Sequence, residues 1–324
     1  MRKISVAIVG YGNLGKGVKE ALKNSPDMEL FAIFSRRELD SQSIGAPCYL
    51  LKDIYEFKAK IDILILCGGS ATDLPNQTKE LAKFFNTVDS FDTHAKIEEY
   101  YKAVDESAKS GNNISIISVG WDPGLFSINR LFGEAILPKG TTYTFWGRGL
   151  SQGHSDAIRR IDGVLKAAQY TVPNKEAIEE VLSGKEPELT MFDSHKRECY
   201  VVIKDGYDKE KIENEIKNMP NYFKGYETSV KFIDEDEFNK NHSGMAHGGL
   251  VIRSATDSDG IHQTMKYTLN LQSNPKFTAA VLVAYARAAY HMKSLGMSGA
   301  KSVFDVAPAW LSPKKPDELR KSIL

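Results

Sequence analysis

Residues 4–15 read Ile-Ser-Val-Ala-Ile-Val-Gly-Tyr-Gly-Asn-Leu-Gly, and this stretch decides the fold. Its first half is a short apolar run with one polar residue, as a strand buried on both faces requires. From Leu14 the period changes: Leu14, Val18, Ala21 and Leu22 share one face of a helix over 14–23. Working outward, further strands are expected at 29–34, 62–67, 87–91 and 114–119, with helices at 75–85 and 95–110. Alternation of this kind implies a doubly wound parallel sheet with helices on both faces, an α/β fold.

The turn itself, Gly10-Tyr11-Gly12-Asn13-Leu14-Gly15, fits G-x-G-x-x-G in the required context, after a buried strand and at the start of a helix. Gly10 permits the tight turn, Gly12 lets backbone approach a pyrophosphate, and Gly15 lets the helix sit close to the strand. The helix N-terminus then receives the anion. The reading is a Rossmann dinucleotide-binding domain; a glycine-rich turn with no ligand is the alternative. At the end of the second strand, where NAD sites usually carry an acid, stand Ser35, Arg36 and Arg37. Two guanidiniums and a hydroxyl, with no carboxylate at that tip, suit the 2′-phosphate of NADP. Two ordinary surface arginines would look the same.

Three later strand ends complete the edge. Cys67-Gly68-Gly69-Ser70-Ala71-Thr72 is small and leaves room for a ligand; Cys67 reads as a small buried residue rather than a nucleophile. Ser90-Phe91-Asp92 and Val119-Gly120-Trp121-Asp122-Pro123 each place an acid at a strand end. Asp92 and Asp122 suit a substrate ammonium close to the cofactor, and Asp122, then Asp92, are the candidates for a proton-transfer or amine-orienting role. Either could equally cap a helix.

Beyond residue 120 the pattern becomes mixed. Strand-like segments at 141–146, 198–204, 229–233, 250–254 and 264–271 are interspersed with helical ones at 154–169 and 175–182. This suggests a second α+β domain with a mixed sheet. The acidic stretch 234–241 reads as a solvated turn or loop. An Ala-rich helix over 276–293 is expected to pack back on the first domain. The domains are therefore 1–120 completed by 276–324, and 121–275.

The bulk numbers are those of an ordinary soluble globular protein. The chain has 324 residues, enough for two domains, and 42 basic against 42 acidic residues give no net charge. Nothing in that balance calls for nucleic acid or a membrane surface. Cys48, Cys67 and Cys199 are too widely spaced for a zinc or redox motif, so no metal is expected. No signal peptide or membrane span is apparent, and the chain reads as cytoplasmic.

GYGNLG, SRR, GGSATD, SFDTH, VGWDPG and LSQGHSDAIRR, in this order, resemble the meso-diaminopimelate dehydrogenase family. The likeness continues through TVPN and NPKFTA and so covers nearly the whole chain. It implies NADP-dependent, reversible oxidative deamination of the D-centre of meso-2,6-diaminopimelate to L-2-amino-6-oxopimelate and ammonia, in lysine and cell-wall precursor synthesis. It further implies a homodimer. Carried over by position, substrate contacts fall on Asp92, Asp122, Trp146, Gln152, Gly153, Thr171, Arg197, His247 and Asn274. Arg197 and Thr171 would clamp the distal carboxylate, with His247 and Asn274 at the same end. Trp146 would supply a flat wall, and Gln152 and Gly153 donors to the second carboxylate.

Residue by residue, other roles stay open. Arg197 sits in a charged run, His247 in a loop-like GMAHGG segment, and Asn274 precedes Pro275 where a helix cap would fit. Competing functions are another Rossmann enzyme, such as a dihydrodipicolinate reductase or homoserine dehydrogenase, a broader D-amino acid dehydrogenase, and a non-catalytic NADPH-binding sensor.

Overall fold

The computed structural model describes residues 2–324. The opening stretch forms β1 (Ile4–Val9), buried at every position, followed by the helix Asn13–Lys23. The chain then adds β2 (Met28–Ser35), β3 (Cys48–Leu50), β4 (Ile63–Leu66), β5 (Thr87–Asp89) and β6 (Ile114–Ile116). After these come β7 (Thr141–Trp146), β8 (Gly149–Leu150), β9 (Val164–Pro173), β10 (His195–Ile203), β11 (Thr228–Phe232), β12 (His247–Thr256) and β13 (His262–Leu271). A last strand, β14 (Gly299–Lys301), returns to the first sheet.

The chain divides into two compact units, one of Met1–Ile128 with Pro275–Leu324 and one of Asn129–Asn274. The first contains a seven-stranded sheet in the order β14-β6-β5-β4-β1-β2-β3, every pair parallel. Apart from β14 this is the Rossmann order, and it reverses between β1 and β4. Alternation along the strands sorts the core into two layers. Ile4, Val6, Ile8, Ile63 and Ile65 pack with Val18 and Leu22 and with Ala279, Leu282 and Ala286 of the long helix Asn274–Ser294. Ala7, Val9, Phe34, Leu64 and Leu66 pack on the opposite face with Leu74 and Leu81, and with Tyr100 and Val104. The chain's end is thus part of this core. Buried Arg287 fastens it, donating to both carboxylate oxygens of Asp27 at 2.6 and 2.8 Å and to the Leu311 carbonyl at 2.8 Å.

The first unit extends past residue 120 because the chain after β6 stays bonded to it. The Val119 N–H donates to the Asp89 carbonyl, and Leu125 and Phe126 donate back to Gly120 and Trp121.

The second unit contains two sheets rather than one: β11-β10-β9-β8, which is mixed, and antiparallel β13-β12-β7. Two expectations change here. The helix expected over 154–169 is the helix Gln152–Arg159 followed by strand β9. Gly163, at φ +87°, turns the chain between them, and a side chain there would strike the Tyr207 ring at 2.1 Å. The run Val164–Pro173 has the β-branched and aromatic residues of a strand, but its apolar spacing also fits a helix. The acidic stretch 234–241 is solvated yet helical over Glu235–Asn241. Asp234 caps it by accepting from the Glu237 N–H at 2.7 Å, and the acids that follow sit in the first turn, where the helix dipole favours them. Among the described residues, no helix is long and apolar enough to cross a membrane.

Candidate functional site

In the first unit, the reversal between β1 and β4 opens a crevice at their carboxyl ends. Gly10 has φ +92°, and a Cβ on it would lie 3.3 Å from the Cys67 carbonyl carbon and oxygen. A Cβ on Gly15 would lie 2.1 Å from the Gly10 oxygen, so glycine alone allows the helix this close. Gly12 differs: no heavy atom lies within 4 Å of where its Cβ would be. It is the N-cap of Asn13–Lys23, whose first turn carries no acid. The amides of that turn and the helix dipole therefore favour an anion in open space.

A cleft of about 380 Å³ runs from this turn, lined by Gly10, Tyr11, Gly12, Ser35, Arg36, Arg37, Cys67, Gly68 and Gly69, together with Asp73 and Gln77. Thr72 lines the adjoining hollow with Arg36 and Asp73, whereas Asn13, Leu14, Ser70 and Ala71 line neither. The structure corrects the expectation that no carboxylate meets the arginine tip. Arg36 Nη1 lies 3.0 Å from Asp73 Oδ1, and Asp73 is held by the Gly69 N–H at 2.8 Å. The arginine side chain is 74% exposed, so the pair is worth about 1 kcal/mol or less and leaves the guanidinium able to re-pair. Burial pushes the Cys67 thiol well above its ordinary range, which argues against a nucleophile.

Asp92 and Asp122 follow β5 and β6, neighbours in the sheet, on the carboxyl edge. Neither is the residue next to a helix start: Thr93 precedes His94–Lys96, and Leu125–Ile136 begins beyond Asp122. The Asp92 N–H donates to Ser70 Oγ at 2.9 Å, which ties two of the strand-end loops together. Phe91, Val119 and Trp121 are buried.

In the second unit, strand register sets Thr171 opposite Arg197, with Gly149 on its other side. Arg197 is only 8% exposed. One guanidinium nitrogen donates to Thr171 Oγ1, and the Tyr226 ring lies 4.0 Å from Cζ. Among the described residues no carboxylate reaches ion-pair distance of Arg197, and its Nε has no acceptor. Burial lowers its pKa. A guanidinium so placed costs several kcal/mol unless an anion joins it.

Trp146 closes β7. Its backbone N–H donates to His195 Nε2 at 2.8 Å and its ring stacks on the imidazole at 5.3 Å. His247 is the first residue of β12, not part of a loop, and a side chain on Gly149 would meet its ring at 2.5 Å. Gln152 and Gly153 open the helix Gln152–Arg159, which Ser151 caps. The next residue, His154, has its pKa pushed down to about 4 by burial and then by the charge of Arg197. Asn274 begins the last long helix and donates its N–H to the Met245 carbonyl at 3.0 Å. The second unit thus gathers Trp146, Gln152, Gly153, Thr171, Arg197 and His247, whereas Asp92 and Asp122 belong to the first.

Sequence reasoning missed Asp73, His195 and Tyr226. For His195 a signal existed: His195, Arg197 and Cys199 alternate inward along β10, a period of two hidden inside a charged run.

These features define a Rossmann-type dinucleotide-binding protein with a separate unit built around a buried arginine. A family model for the diaminopimelic acid dehydrogenase C-terminal domain matches residues 120–273. The meso-diaminopimelate D-dehydrogenase of Lysinibacillus sphaericus is 57% identical over 326 residues, covering 100% of both chains. Two solved structures are similar throughout. The C. glutamicum DAP dehydrogenase in complex with DAP is 47% identical, with a TM-score of 0.89 over 100% of each chain. An engineered D-amino acid dehydrogenase bound to NADP+ is 46% identical, with a TM-score of 0.83 over 99% of this chain and 100% of the other. The chain belongs to the meso-diaminopimelate D-dehydrogenase family.

His195 and His154 carry a pH signature. Burial, partly opposed by a bond to the Met191 carbonyl, pushes His195 down to about 4 from an ordinary 6.5, and His154 is displaced to the same degree. The stability gained by keeping both neutral is complete above pH 6.5 and is lost as pH falls from there toward 4. Urea midpoints should therefore drop between pH 7 and 5, and His195→Gln should flatten part of that slope. A slope unaltered by the substitution would contradict the assignment.

Proposed function

We propose that this chain catalyses NADP-dependent oxidative deamination of the D-configured centre of meso-2,6-diaminopimelate, yielding L-2-amino-6-oxopimelate and ammonia. The reaction is reversible and serves lysine and cell-wall precursor synthesis. The observation that carries the substrate reading is Arg197, a buried guanidinium with a hydroxyl and an aromatic face but no acid beside it. A substrate with a distal carboxylate balances that charge in a two-pronged geometry. The solved relative in complex with DAP supports the same substrate.

The first unit fits NADP on its own geometry. The open approach at Gly12, with Gly10, Tyr11, Asn13 and Leu14 around it, would take the pyrophosphate; Ser35, Arg36 and Arg37 would take the 2′-phosphate. Cys67 to Thr72, Ser90 to Asp92 and Val119 to Pro123 would line the remainder of the cofactor, with buried Phe91 and Val119 acting through backbone. When bound, NADP+ supplies the hydride acceptor.

The protein's own residues position the substrate and move protons. Arg197 and Thr171 hold the distal carboxylate, and His247 and Asn274 add hydrogen bonds at that L-configured end. Gln152 and Gly153 donate to the second carboxylate, and Trp146 forms an apolar wall, its backbone held by neutral His195. The reacting amine must lose its proton before hydride leaves the adjacent carbon. Asp122, assisted by Asp92, orients the ammonium and accepts that proton. The family resemblance supports a cytoplasmic homodimer.

Two substitutions test these assignments separately. Arg197→Met should lower kcat/KM for meso-diaminopimelate by about a hundredfold or more, while turnover of D-alanine, which has no distal carboxylate, changes by about threefold or less. Equal losses on both would remove the clamp. Replacing Arg36 and Arg37 by Gln should raise KM for NADP+ about tenfold or more and leave KM for NAD+ within about twofold. An unchanged cofactor preference would remove the 2′-phosphate assignment.

A further inference from the structure

The proposed reaction makes no direct use of Asp89, the one fully buried carboxylate among the described residues of the first unit. Asp89, the last residue of β5, is 0% exposed, and four donors converge on it. Oδ1 accepts from the Phe91 N–H at 3.0 Å and the Ser118 N–H at 3.2 Å. Oδ2 accepts from Tyr100 OH at 2.6 Å and Thr78 Oγ1 at 3.1 Å. Its backbone carbonyl takes a fifth bond, from the Val119 N–H at 2.8 Å.

The donors come from separate places. Phe91 immediately precedes Asp92. Ser118 and Val119 begin the loop that carries Asp122. Thr78 lies in Leu74–Leu81 and Tyr100 in Ile97–Ser110, the helices that cover this face of the sheet. Ser118 is held in left-handed backbone at φ +57°, costly for a residue with a side chain, at the point where its N–H turns toward Asp89. Phe91 stacks on Tyr100 with centroids 4.0 Å apart, so the same two elements are joined twice. Burial pushes the Asp89 pKa up even though each of these donors favours the charged form.

We propose that Asp89 is a positioning residue of the reaction: through its Oδ1 it fixes the Asp92 and Asp122 loops relative to one another, and the two helices hold it in place through Oδ2. No local motif marks it: the strand expected over 87–91 stops at Asp89, and its partners come from distant parts of the chain. Evenly spaced strands would leave the two loops free to shift independently; a shared acceptor does not. This inference rests on the proposed roles of Asp92 and Asp122.

The test compares Asp89→Ala with Asp89→Asn in the full chain. Asparagine keeps Oδ1 for both loop amides and offers its NH2 to the Thr78 and Tyr100 hydroxyls, which can turn to accept it. Alanine removes every side-chain bond. Asp89→Ala should lower kcat on meso-diaminopimelate about ten- to a hundredfold, with KM for NADP+ within about threefold, and Asp89→Asn should recover most of the loss. Amide hydrogen exchange should rise at Phe91–Asp92 and Ser118–Val119 together in the Ala variant, and not at Gly12–Leu14. A kcat within about twofold of the parent in Asp89→Ala would overturn the proposal, as would failure of Asn to rescue. Should Asp89→Ala not fold, Tyr100→Phe carries the test, with a smaller fall in kcat at unchanged KM for NADP+; no fall overturns it. Absence of turnover by the unsubstituted chain would sink the activity reading alone, and hydrogen exchange would still decide whether Asp89 couples the two loops.

Discussion

A sheet whose strand order reverses must leave a gap at the reversal, and here that gap lies between β1 and β4. The helix after β1 begins at Asn13, and it lies this close to the strand end only because Gly15 has no Cβ to meet the Gly10 carbonyl. That contact aims the amides of the first helical turn into the open space at Gly12. The arginine tip after β2, the small residues after β4 and the acids after β5 and β6 are then all strand ends on one edge. Their sites lie far apart in sequence, yet each occupies the position that parallel pairing assigns to it.

The second unit solves a different problem, keeping a cation out of water. Arg197 has given up hydration for a hydroxyl and the face of Tyr226. Such an arrangement is poor for stability and well suited to a charged ligand that brings its own carboxylate. Neutral His195 and His154 belong to the same logic. Each is buried and feels the charge of the arginine, a setting where a further positive charge would be costly, and His195 uses its Nε2 to hold the Trp146 backbone.

Most of the first unit could be read from the chain because its strands are buried on both faces and its glycines have steric jobs. β1 falls on the expected residues, and the long C-terminal helix packs where its Ala-rich face requires. The second unit was less legible for physical reasons. Val164–Pro173 has a composition that suits helix or strand, and only the turn at Gly163 and the pairing with β10 decide between them. The short strands β3, β8 and β14 carry too few residues for any period to show. Within the candidate sites, residues placed at strand ends are visible in the sequence, and those that reach them from elsewhere are not. Asp73 reaches Arg36, Tyr226 reaches Arg197 and Asp89 reaches two loops, each from a distant part of the chain that no local motif connects.

The central claim is that an NADP-dependent dehydrogenase recognises one D-configured and one L-configured end of the same substrate. Its most direct test is the initial rate of cofactor reduction with meso- and with L,L-diaminopimelate, each offered NADP+ and NAD+. The account predicts turnover of the meso isomer with NADP+, far slower reaction with NAD+, and none with the L,L isomer. Equal rates on the two isomers, or no reduction of NADP+ by either, would contradict it.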